Sequence, residues 1–184
     1  MERASSTQIL KAEHQVILKV IRALDAIIQD MRAGGAAPTD RIRTIVQFSR
    51  LFVDRCHHGK EEACLFPCLE RRGVPREGGP IGVMLAEHEE GRRLVRTISD
   101  LVDAYADARD RHQLMALCAG YVGLLSGHIA KEDGVLFAMA EHVLADADEA
   151  EILRGYTAVD ASEGGPAARE ALMHLTDEVA GQRS

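Results

Sequence analysis

The sequence has no tryptophan and few aromatic residues of any kind: three tyrosines and four phenylalanines, 4% of 184 residues. Strands draw on aromatic and β-branched residues, so this shortage argues against a β-rich fold and for helices. Proline is scarce as well, with five in the chain. The four cysteines are too few for a disulfide scaffold at this length. No apolar run approaches the roughly 18 residues of a membrane span, and residues 1–8 lack the apolar core of a signal peptide. Positive charge is in deficit: 22 Lys and Arg stand against 29 Asp and Glu, a net charge of −7. That excludes nucleic acid or an anionic membrane as the main partner, because both attract basic surfaces. Apolar residues make up 46% and charged residues 28%, an ordinary globular balance. The expectation is a soluble, cytoplasmic protein kept in a reducing compartment.

Glycine and proline then divide the chain. Gly34-Gly35 with Pro38 break it once, Gly73 to Pro80 again, and the polar stretch Asp107 to Asp110 a third time. Four long segments lie between, at about 6–33, 39–71, 80–106 and 110–142. Thr39 or Asp40 is placed to cap the second helix and Asp110 the fourth. Each segment carries an apolar stripe in steps of three and four. The second reads Ile42, Val46, Ser49, Val53, His57, Glu61, Cys64, Cys68, and the fourth runs from Leu114 through Tyr121, His128 and Glu132 to Val135 and Met139. No segment alternates with period two. The fold class is therefore all-α, an up-down-up-down four-helix bundle. The bundle is expected over residues 1–144. Residues 145–184 form a helical extension packing on it or prolonging it, with short helices at about 147–159 and 166–180.

One histidine interrupts each stripe where a leucine would be expected: His14, His57, His88 and His128. At about 1.5 Å of rise per residue, His14 and His57 both sit roughly 27–29 Å from the loop joining their helices. His88 and His128 are matched in the same way about theirs. Each antiparallel pair thus brings two imidazoles to one level. Glu61 follows His57 by four residues and Glu132 follows His128 by four, so each shares a helix face with its histidine. Isolated carboxylates are costly in an apolar core. Two carboxylates facing four imidazoles become reasonable with cations between them, and such mixed donors suit iron, manganese or zinc better than calcium or magnesium.

An internal repeat supports this register. Residues 57–66 (HHGKEEACLF) align with residues 128–137 (HIAKEDGVLF) as His-x-x-Lys-Glu-acid-x-x-Leu-Phe. Glu13-His14 and Glu87-His88 echo each other in the same way. His58 and Glu62 are also four apart, but the repeat mate of His58 is Ile129, which cannot bind metal. The ligand set read from the sequence is His14, His57, Glu61, His88, His128 and Glu132. His58, Glu62 and Asp133 are expected to face solvent or to support the ligands from behind.

Over about residues 8–142 this constellation resembles the haemerythrin-like (HHE cation-binding) family. Ferritin-like bundles use Glu-x-x-His instead, a spacing found nowhere in this chain. Oxygen-carrying haemerythrins bear a second histidine one turn before that of the third helix, where this sequence has Met84. The four-histidine, two-glutamate pattern is more similar to the branch containing di-iron proteins for repair of iron centres, without the extra cysteine-bearing domain of that branch. The resemblance implies two iron ions with an oxo or hydroxo bridge, manganese or zinc fitting the same donors. It further implies an open position on each metal for a small diatomic or peroxide ligand: dioxygen, nitric oxide or hydrogen peroxide. The function expected is binding or reduction of one of these, with a peroxidase- or nitric-oxide-reducing oxidoreductase as the enzymatic form. The alternative is a metal-, oxygen- or redox-sensing module, or an iron-handling protein, without turnover.

Several other residues carry weaker expectations. Tyr121 lies seven residues before His128 and is either a core tyrosine or a donor near the site. Met84 is expected to line the ligand pocket. Cys64 and Cys68 are read as structural. Gly120, Gly123, Gly127 and Gly134 suggest either close helix approach or a channel for a small ligand. His112, His142 and His174 are assigned no role.

Overall fold

In the computed structural model, which describes residues 4–106 and 108–162, all the regular structure is helical. Helix α1 spans Ser6–Arg32, α2 residues 39–71, α3 Pro80–Asp103, α4 residues 108–143 and α5 Asp146–Ser162. The first four form the bundle. α1 packs on α2 and α4, and α3 packs on the same two helices from the other side. α5 lies across α1 and the lower half of α2. The expected helix at 166–180 and His174 lie outside the described residues.

Local chemistry sets the helix ends. Ser5 caps α1 by accepting a bond from the Gln8 N–H, and the Gln8 side chain accepts in return from the Ser5 N–H. This capping box satisfies two donors that would otherwise be left open. Pro80 starts α3, where its missing N–H costs nothing. Neither Thr39 nor Asp40 caps α2: its N-cap is Pro38, and no side chain bonds the free N–H groups there. Asp110 accepts a bond from the Ala106 N–H, tying the loop before α4 to that helix.

Two apolar clusters divide the interior. The upper one runs from Ile17 to Met31 on α1 and includes Ile42, Phe52, Ile98 and Leu114. The lower one gathers Leu10, Leu65, Phe66, Leu69, Ile81, Met84, Leu136 and Phe137, with Ile152 and Tyr156 from α5. Each fully buried residue of this kind contributes roughly 1.5–3 kcal/mol. The buried polar residues His14, His57, Glu61, His88, His128 and Glu132 belong to neither cluster and form a layer between them.

The winding of two helices departs from regular α. Ser49–His58 and Glu61–Leu65 in α2, and Glu132–Leu136 in α4, are π-helical. Such widened turns are found mostly at functional sites. They correct the stripe read from the sequence. Val135, expected to point inward, is 54% exposed, whereas Leu136 and Phe137 are buried. In the matching turn of α2, Cys64 is half-buried while Leu65 and Phe66 are buried.

α4 is also more apolar than the sequence reading allowed. Among the described residues, 109–143 contain an 18-residue stretch of mean hydropathy 1.3, long and apolar enough to cross a membrane. Its face carrying Leu114, Tyr121, His128 and Glu132 is buried in the bundle. The glycines of α4 mark neither a close approach nor a channel. Gly120, Gly123, Gly127 and Gly134 are exposed, and a Cβ added at any of them meets nothing within 4 Å. Replacing Gly120, Gly123 and Gly127 together with Ala should stabilise the protein by about 2–3 kcal/mol, from about 1 kcal/mol each. Thermal denaturation should show Tm rising by roughly 5–10 °C; a fall would mean that this face is packed. Gly155 of α5 differs, because a Cβ there would lie 2.5 Å from Cys64 Sγ.

Candidate metal centre

The polar layer is built from two pairs of facing imidazoles. His14 Nε2 lies 3.0 Å from His57 Nε2, and His88 Nε2 lies 3.2 Å from His128 Nε2. The two glutamates stand between the pairs. Glu61 turns Oε1 toward His57 Nε2 at 3.6 Å and Oε2 toward His88 Nε2 at 3.4 Å. Glu132 Oε2 lies 3.2 Å from His14 Nε2 and 3.3 Å from His128 Nε2. All six residues are at most 2% exposed.

Every one of these histidines is held from behind by a carboxylate at its other ring nitrogen. Nδ1 of His14 faces Asp133 at 2.8 Å, and Nδ1 of His57 faces Glu13 at 3.0 Å. Nδ1 of His88 faces Glu62 at 2.7 Å, and Nδ1 of His128 faces Glu87 at 3.0 Å. A carboxylate at Nδ1 keeps the proton there, which leaves Nε2 with a bare lone pair. Two bare lone pairs 3 Å apart repel unless a cation lies between them.

This arrangement explains the repeat residue by residue. Glu13 accepts from His57 and from Lys60, whose Nζ is 2.6 Å away. Glu87 accepts from His128 and from Lys131. The acid after each of these two glutamates, Glu62 or Asp133, supports the histidine of a different helix. Sequence reasoning missed Glu13, Glu87, Lys60 and Lys131 as participants. Their signal was present in the paired Glu-His dipeptides and the shared lysine.

His58 corrects the sequence reading. It is 5% exposed and stacks on His88 with ring centroids 3.7 Å apart. Neither of its ring nitrogens has a partner within hydrogen-bond distance, and the carboxylate facing its Nδ1, Asp54 Oδ1, stands 3.8 Å away. It therefore turns inward, whereas Glu62 and Asp133 do support ligand candidates from behind. Two groups of donor atoms result, each gathered within 4.8 Å: His14, His57, Glu61 and Glu132 in one, His58, Glu61, His88 and His128 in the other.

The electrostatics point the same way. Burial, then the neighbouring Glu61, raises the Glu132 carboxyl above its usual range. Burial, then the charge of His14, holds His57 well below the ordinary imidazole value. Burial, then His88, does the same to His58. Burial also lowers His128. In His88 burial is outweighed by Glu61 and Glu62, and the ring is pushed up to about 9. In His14 burial is outweighed by Glu132, aided by Glu61 and Asp133, so it too rises.

The donor set passes a direct test of fit. All four carboxylate oxygens of Glu61 and Glu132 are buried without a hydrogen-bond partner, as are both nitrogens of His58. Buried polar groups are nearly always satisfied, and leaving one open costs about 1–3 kcal/mol or more when charged. Imidazole and carboxylate donors converging on two centres meet the demands of a transition metal.

Of the weaker expectations, Tyr121 is buried beside the site. Its hydroxyl bonds Ser49, and burial pushes its pKa up to about 12. Met84 does not line the cavity beside His58; it belongs to the lower apolar cluster. Among the described residues Cys56, Cys64, Cys68 and Cys118 form no disulfide, and His112 and His142 are exposed.

The chain is similar to three uncharacterized proteins, one from Mycobacterium bovis and two from strains of Mycobacterium tuberculosis. It is 27% identical to each over 137 residues, which is 73% of this chain and 53% of theirs. The chain thus spans about half the length of the curated relatives it matches. No solved structure matches it significantly. A model of the hemerythrin HHE cation-binding domain matches residues 5–140, the span that carries every residue of the polar layer, and the chain belongs to that family.

Proposed function

We propose that the chain holds two iron ions and uses them to bind or reduce a small molecule: dioxygen, nitric oxide or hydrogen peroxide. The ligands are His14, His57, Glu61, His88, His128 and Glu132. The observation that carries this reading is the pair of short Nε2–Nε2 approaches, 3.0 and 3.2 Å, in rings whose Nδ1 atoms already face carboxylates. Manganese or zinc would satisfy the same donors. A di-iron pair held by these residues would supply electrons and Lewis acidity toward a small ligand. The protein's own part is to hold and to shield. Glu61 faces both imidazole pairs, Asp133, Glu13, Glu62 and Glu87 fix the ring orientations, and the two apolar clusters keep bulk water out.

Anaerobic reconstitution with ferrous iron should give about two irons per chain, from the two donor groups. Air should then produce the near-ultraviolet absorption of a bridged ferric pair, and peroxide, nitric oxide or oxygen should be consumed. A stoichiometry near zero would overturn the proposal. One observation favours a second reading, sensing without turnover. His57 bonds Glu13, Glu13 bonds Lys60, and Lys60 Nζ lies 2.7 Å from Asp160 of α5. Metal-dependent protection of α5 in hydrogen exchange, without turnover, would select that reading.

A further inference from the structure

The two halves of the centre are pseudo-symmetric in sequence but not in surroundings. α5 covers the Lys60 side. The opposite side opens onto a cavity of about 210 Å³ between α2, α3 and α4. One end of this cavity is polar, formed by His58, His88 and His128. Its walls include Val95, Tyr121 and Leu124, with Gly91 giving it depth. His58 lines it with Nδ1 3.8 Å from Asp54 Oδ1 and with a buried Nε2 that has no hydrogen-bond partner.

Size and charge narrow the ligand. A diatomic molecule occupies a small part of such a space, since a cavity of about 150 Å³ already holds benzene. The chain as a whole is acidic, yet the exposed Arg50 and Arg96 stand on the lining. Of the acids nearby, Glu87 is bound by Lys131, and Asp54 shares Arg92 with Glu62 and Glu89. On the lining itself Arg50, Arg55, Arg92 and Arg96 stand against Asp54 and Glu87, a surplus of positive charge that draws anions.

We propose that this cavity is a binding site for a compact organic acid with a benzene-sized apolar body. Its carboxylate lies at the His58 end and its body against Val95, Tyr121 and Leu124. The inference builds on the metal-centre reading above, because the acid head meets the layer where His88 and His128 stand. It makes the two metal positions inequivalent, with exogenous ligands arriving on the His88 and His128 side. His58 is then a positioning residue for the ligand, not a constitutive metal ligand.

The test is calorimetry on the zinc-loaded full chain, with metal content measured separately, using acetate, benzoate and 2-naphthoate as probes. Benzoate should bind once per chain, at least tenfold tighter than acetate, and naphthoate more weakly than benzoate. Gly91→Leu should weaken benzoate at least tenfold with metal content unchanged. A Cβ at Gly91 is in ordinary contact with Leu124 and Tyr121, at 3.8 and 4.0 Å, so the remaining side chain projects into the cavity. His58→Ala should weaken benzoate about fivefold or more and leave the metal in place. Benzoate binding no tighter than acetate, or unchanged by Gly91→Leu, overturns the proposal while the metal centre stands. If Gly91→Leu fails to fold, the acid series on the unaltered chain decides. Loss of metal in His58→Ala overturns the positioning role, and a chain that loads no metal overturns the function proposed above.

Discussion

Ferrous iron should raise the Tm of the unaltered chain by roughly 8–16 °C, and Glu61→Gln should lose most of that gain. The first figure follows from linkage. A ligand that binds only the native state, at a thousand times its Kd, contributes about 4 kcal/mol, and each kcal/mol is worth roughly 2–4 °C at this chain length. The second follows from geometry. Glu61 faces His57 with one oxygen and His88 with the other, so it serves both donor groups. Gln keeps the volume and one oxygen but removes the charge and one acceptor. Melts under anaerobic conditions, with chelator and with ferrous iron, measure both quantities. Equal metal-induced gains in the two proteins would show that Glu61 is not a shared ligand. Lys131→Ala, remote from the Nε2 atoms, is the control and should keep most of the gain.

Lys60→Met should cost about 3–5 kcal/mol, the scale for stranding one side of a buried ion pair. Its repeat mate Lys131→Met should cost less than about 1 kcal/mol, as exposed pairs do. The two lysines occupy equivalent places in the repeat and bind equivalent glutamates. Lys60, however, is 0% exposed. Its ammonium lies between Glu13 Oε1 at 2.6 Å and Asp160 Oδ1 at 2.7 Å, under the ring of Tyr156. The side chain of Lys131 is 45% exposed. Losing Lys60 leaves the buried Glu13 without its ammonium partner and removes a tie to α5. Urea denaturation of the two variants should separate them by about 2 kcal/mol or more, on the same two scales. Equal destabilisation would mean that α5 does not shield Lys60 in solution.

Much of this was legible in the sequence, and the misses share a cause. The helices, the levels of the four histidines and the glutamates four residues on all follow from regular helical steps. So does the inward stripe as far as Glu132. Beyond Glu132 the steps fail, because the π-helical turn advances the register and buries Leu136 in place of Val135. His58 was misplaced by treating the repeat as a full symmetry. Its mate Ile129 is also buried, so the two positions agree in facing inward and differ only in chemistry. The supporting acids were visible as motif letters, but their partners lie on other helices, and no single-helix pattern reports that. Met84 was placed by analogy with a missing histidine, whereas its burial belongs to the lower apolar cluster. The glycines of α4 were read as crowded or channel-lining because they recur, and they recur on an open face.

The widened turns have a consequence for how this architecture tolerates length change. Each carries one residue more than a regular turn needs. Excising a single residue, such as Ala63 or Gly134, would let the helix run on as ordinary α. The extra residue and the wide turn that absorbs it would go together, so everything beyond the cut would keep its bearing relative to the part before it. Phe66 and Phe137 would still face the apolar floor on which α5 rests, whereas a residue excised from the regular turns, with no wide turn to absorb the loss, would swing everything beyond it by about 100°. Each long helix is in effect two rods phased by a coupling one residue thick, the upper aimed by imidazole chemistry and the lower by packing.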